Sequence, residues 1–88
     1  MANIRDLKKD INFVLGDIID AVNVWQGLNA DTDGKAADAI IDEAITIFDA
    51  LIAKVNDKKV ENRSAHLAGV RAELEEKARG LADKINSL

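Results

Sequence analysis

IRDLKKDINFVLGDIIDAVNVWQGL, residues 4–28, decides the fold. Ile4, Leu7, Ile11, Val14, Ile18, Ala21, Trp25 and Leu28 recur at alternating spacings of three and four residues. That spacing draws one unbroken stripe along a helix of about seven turns, and Leu15, Ile19 and Val22 widen it. A stripe of this length leaves water only when other helices cover it.

The rest of the chain supplies two covers. The link Gln26-Gly-Leu-Asn-Ala-Asp-Thr-Asp-Gly34 is turn-forming by composition, and Asp31, Thr32 or Asp33 is suited to cap the helix after it. The second apolar set is Ala37, Ile40, Ile41, Ala44, Ile45, Ile47, Phe48, Leu51, Ile52 and Val55. On a wheel of 100° per residue it spans an arc of about 160°, the width needed to touch two neighbours. A polar turn follows at residues 56–64, with Val60 its one apolar member and Asn62 or Ser64 placed to cap the third helix. That helix carries Leu67, Val70, Leu74, Ala78, Leu81, Ile85 and Leu88 on a stripe about 80° wide. Its outer positions are strong helix formers, and Glu73 and Lys77 stand in the favourable i,i+4 order. At the first helix, Asn3 is the candidate cap and Gly27 the candidate stop.

Helices predicted over about 4–27, 33–56 and 63–87, joined by short links, pack as antiparallel neighbours. The expectation is all-α: an up-down-up three-helix bundle with coiled-coil-like packing, occupying residues 1–88 as one domain.

Composition narrows the function classes. The chain has 88 residues, no Cys and no Pro, so it offers neither disulfides nor thiolate metal sites, and nothing interrupts long helices. Charges occupy the first ten residues where a signal peptide needs its apolar region, and no run approaches the roughly 20 apolar residues of a membrane span. A cytoplasmic protein without membrane contact is expected. A net charge of −4 speaks against nucleic acid as partner. The charge is unevenly spread. Residues 1–12 and 52–66 together hold seven basic and four acidic side chains, whereas residues 13–51 hold one basic and eight acidic ones. Bundle topology collects the basic set (Arg5, Lys8, Lys9, Lys54, Lys58, Lys59 and Arg63) at one end, as a solvated helix-end mixture or a seat for phosphate or an acidic protein.

Few residues offer chemistry. Asn29-Ala-Asp31-Thr-Asp33-Gly34 matches the first half of an EF-hand loop, with oxygen ligands at positions 1, 3 and 5 and Gly at 6. The match fails at position 12, where the bidentate Glu is replaced by Ile40, so a polar turn is the stronger reading. His66 is the single histidine, and the residue three before it is Arg63 rather than a Glu that would complete a Glu-x-x-His metal motif. Ser64 lies two residues away, and on a helix the two side chains diverge. Asp17, Asp20, Asp38, Asp42, Glu43 and Asp49 read as a solvated acidic face. Trp25 reads as a plug closing the end of the bundle, or as an anchor in a partner's groove. Phe13 and Val24 fall off the main stripe, eleven residues apart and therefore on one outer face. They are either two isolated exposed apolar residues or a secondary patch for self-association or a partner helix.

The segments IRDLKKDINFVL at 4–15, IDEAI at 41–45 and LIAKVN at 51–56 resemble segments of small uncharacterised helical proteins of Bacteroidetes-type bacteria, a likeness running over the whole chain. The resemblance implies a small cytoplasmic helical protein and brings no activity, cofactor or site residue with it. The expectation is therefore a non-enzymatic bundle without cofactor, acting through contact with a protein partner or with itself at Phe13, Val24 and Trp25. The alternative is a small-ligand or Ca²⁺ binder using Asn29, Asp31 and Asp33.

Overall fold

The structure is a computed structural model that describes residues 4–31 and 34–88. Three helices follow in order: α1 (Ile4–Leu28), α2 (Lys35–Asn56) and α3 (Arg63–Asn86), each packed against the other two, with no strand among the described residues. Cross-helix contacts fix their directions. Gln26, late in α1, donates from Nε2 to Asp38 Oδ1 in the first turn of α2 at 2.8 Å, so these helices are antiparallel. Lys54, late in α2, pairs with Glu73 of α3 at 2.7 Å, and Glu43, early in α2, pairs with Lys84 near the end of α3. Arg71 of α3 reaches Asp10 of α1 at 2.8 Å, which sets those two helices parallel. The chain is an all-α, up-down-up three-helix bundle, a rod of 51 × 19 × 17 Å.

The core is a dry aliphatic seam. Leu7, Ile11, Leu15 and Val22 of α1 meet Ala37, Ile40, Ala44, Leu51 and Val55 of α2 and Leu67, Val70, Leu74 and Leu81 of α3. No polar or charged side chain is buried among the described residues. Each large member contributes on the order of 1.5–3 kcal/mol by leaving water, and nothing charged has to be desolvated to complete the seam.

The stripe on α1 does not stay centred on that seam. An α-helix advances 3.6 residues per turn, so positions repeating every seven residues lag by about 20° per repeat. One such series is Leu7, Val14, Ala21 and Leu28. Leu7 is fully buried, Val14 is half-buried, Ala21 is exposed, and Leu28 is 80 % exposed. Ala21 and Leu28 were expected in the core. They have instead rotated past its edge, and Val22, one residue on from Ala21, takes the central place.

The helix ends differ in part from expectation. Asn62 caps α3 as read, its Oδ1 accepting from the Ala65 N–H at 3.1 Å. α1 continues through Gly27 to Leu28, and Asn29 closes it by donating from both its backbone N and its Nδ2 to the Trp25 carbonyl, at 3.0 and 2.9 Å. The N-cap of α2 is Gly34, which makes no side-chain bond, so Asp31 does not cap it. Asn3, Thr32 and Asp33 lie outside the described residues. Glu73 turns to Lys54 of α2 with both carboxylate oxygens, so its partner is across the helix interface and not the expected Lys77 one turn along α3.

Two substitutions test this packing by thermal unfolding followed by circular dichroism. Leu15→Ala removes a fully buried side chain and is expected to destabilise by about 2–5 kcal/mol. Gly80→Ala adds a methyl that meets nothing within 4 Å, and is expected to raise stability by up to about 1 kcal/mol, a rise of several degrees in Tm for a domain of this size.

Candidate functional site

A seam without polar groups holds no reactive chemistry, so any site must lie on the surface. Among the described residues four large apolar side chains are exposed there: Phe13 at 60 %, Val24 at 62 %, Leu28 at 80 % and Ile45 at 48 %. Phe13 and Val24 share one side of α1, since eleven residues return to within about 20° on the wheel, and Leu28, one turn beyond Val24, extends the set toward the end of the helix. Sequence reading found the first two and missed Leu28, because it counted the seven-residue stripe as straight. The lag described above is the signal that would have found it. Ile45 was also placed in the core. It stands at the rim of the wide arc on α2, the position such an arc exposes first.

Ile45 and Phe48 of α2 face Asn12, Leu15, Gly16 and Ile19 of α1 across a groove of about 210 Å³. Gly16 forms part of its wall, and a Cβ built there meets nothing within 4 Å. A second groove of about 440 Å³ opens between the start of α2 and the end of α3, floored by Ala36, Ala39, Ile40 and Leu88 and edged by Glu43 and Lys84. Trp25 is half-buried and packs against the apolar core near the end of the bundle.

Residues 29–31 form a turn after α1. Asn29, the first EF-hand position, is folded back on the carbonyl of Trp25, Asp31 is exposed, and Asp33 lies outside the described residues. Among the described residues no three His, Cys, Asp or Glu side chains are grouped to hold a metal ion. The carboxylates read as an acidic face are dispersed along the rod: Asp17, Asp20, Asp42 and Asp49 are exposed, Asp38 holds Gln26, and Glu43 holds Lys84.

His66 has a structural task. Its Nε2 lies 2.6 Å from the carbonyl oxygen of Lys54, near the end of α2, which also accepts from the Asp57 N–H at 3.2 Å. The imidazole thereby ties the start of α3 to the last turn of α2, where helix carbonyls lack intrahelical donors. Around it Lys54, Asp57, Gly69, Val70 and Glu73 line a shallow polar hollow, in which Lys54 and Glu73 already neutralise each other. No described helix is long and apolar enough to cross a membrane.

Comparison with known protein families, with curated proteins and with solved structures finds no match.

His66→Ala is expected to lower stability by about 1 kcal/mol, the ordinary worth of one hydrogen bond, whereas Glu73→Gln, which weakens a solvent-exposed ion pair, should change it by less than that. Urea titration at neutral pH checks both, and a Glu73 effect larger than the His66 effect would contradict the assignment.

Proposed function

We propose that this chain is a non-enzymatic interaction protein whose working surface is the outer side of α1. One observation carries the reading: Phe13, Val24 and Leu28 stand uncovered on one side of a helix whose Leu7, Ile11, Leu15 and Val22 already supply its core. Apolar side chains scattered singly are ordinary on a protein surface, but three on one side of one helix give a partner helix anchors at helical spacing. The surroundings agree. Charge is graded along the same helix, with Arg5, Lys8 and Lys9 in its first turns and Asp17 and Asp20 in its middle, so a partner helix meets both signs on this side.

Trp25 supports this surface from below. It packs against the core at the end of α1, adjacent in sequence to Val24 and one turn before Leu28. A preorganised helix loses little conformational freedom on binding, which favours association by a small face.

A photo-reactive phenylalanine analogue at position 13 tests the reading in extract of the native cell. Adducts are expected from position 13 and expected to fall when Val24→Asp is added, while the same analogue at Ala72, on the exposed side of α3, gives none. No adduct from position 13, or equal yields from 13 and 72, would contradict it.

A further inference from the structure

The outward side of α1 bears a second periodic set. Lys9, Phe13, Gly16 and Asp20 follow one another at spacings of four, three and four, which places them on one stripe facing away from the core. Lys9, Phe13 and Asp20 are exposed, and neither Lys9 nor Asp20 belongs to the three ion pairs that join the helices. The order along the stripe is cation, knob, gap, anion.

We propose that this stripe is the seat of a second copy of the same chain, with the two α1 helices packed antiparallel about a two-fold axis near residues 14 and 15. The proposal rests on the contact reading above and names its partner. Reversed end for end, the stripe is its own complement. Lys9 of one copy falls opposite Asp20 of the other, Phe13 opposite Gly16, and both pairings occur twice, as an isologous interface requires. A parallel pairing sets Lys9 on Lys9 and Asp20 on Asp20, and is disfavoured by like charge.

Gly16 supplies the second line of argument. Glycine inside a helix is unfavourable relative to alanine, and a Cβ added at Gly16, as at Gly27, Gly69 and Gly80, meets nothing in its own fold, so the position stands open to a neighbour. The same residue walls the groove of about 210 Å³ whose other wall holds the exposed Ile45. A phenyl ring from a second copy lies beside Gly16 in the layer they share, where Gly16 has no side chain to obstruct it. One helix face on each side makes a small interface, of the class below about 1,200 Å² that associates weakly and reversibly.

Sedimentation equilibrium of the full chain tests the proposal over concentrations from about 10 µM to 1 mM. A monomer–dimer equilibrium is expected. Gly16→Leu fills the gap from a position where an added Cβ meets nothing, and should weaken the dimer about tenfold or more while helicity by circular dichroism is kept. Lys9→Glu and Asp20→Lys should each weaken it comparably, and the double variant K9E/D20K should restore it to within about threefold, since the pairing is then intact with its signs exchanged. A strict monomer throughout, a dimer indifferent to Gly16→Leu, or a double variant no better than the single ones would overturn it. Adducts from position 13 with a different protein, alongside a strict monomer, would leave the contact surface standing and remove only the second copy. Absence of both would remove both.

Discussion

Everything in this protein depends on one constraint: an aliphatic seam that tolerates no polar group, fed by a helix whose seven-residue repeat does not match its own turn. Leu7, Ile11, Leu15 and Val22 close the seam on α1, and the partners on α2 and α3 are Leu, Ile, Val and Ala throughout. A chain of 88 residues buries a smaller share of its surface than a larger domain does, so it cannot give up core positions freely. The helix keeps its core by handing the central position from one heptad series to the next, and the residues it hands off, Ala21 and Leu28, pass to the outside. Leu28 is thus brought to the exposed apolar surface by the same periodicity that makes the core.

The polar contacts refine this arrangement more than they create it. The three inter-helix ion pairs are all partly solvent-exposed, a setting in which such pairs are worth at most about 1 kcal/mol each. Their value is in direction and register: Asp10 with Arg71, Glu43 with Lys84 and Lys54 with Glu73 each favour one relative placement of two helices. Gln26 on Asp38 and His66 on the Lys54 carbonyl do the same at the two ends of the rod, where loops join the helices. The apolar seam can slide, whereas these contacts are satisfied in one alignment.

Architecture was legible in the sequence because it is written in spacing. The 160° arc on α2 and the 80° stripe on α3 correspond to a helix with two close neighbours and a helix with a narrower core face, and the Asn62 cap follows from its side chain. What was not legible depends on three dimensions. Leu28 and Ile45 are apolar in sequence and exposed in space, the first through cumulative lag along α1 and the second through its place at the edge of an arc. Glu73 chose Lys54 over Lys77 because the neighbouring helix brings an ammonium to it, and one helix considered alone cannot reveal that. The Phe13 and Val24 surface was visible as a departure from the stripe. The open space at Gly16, which gives that surface its shape, belongs to the packing of α1 against α2.

The central claim is the gradual rotation of the α1 stripe out of the core, and thiol labelling measures it most directly. The natural chain has no Cys, so single cysteines at positions 7, 14, 21 and 28 report one site each. With a water-soluble maleimide under native conditions, the account predicts rates that rise in that order, with position 7 nearly silent and positions 21 and 28 close to an unfolded control. Protection at 21 and 28 equal to that at 7 would contradict it, because the stripe would then follow the core along its whole length.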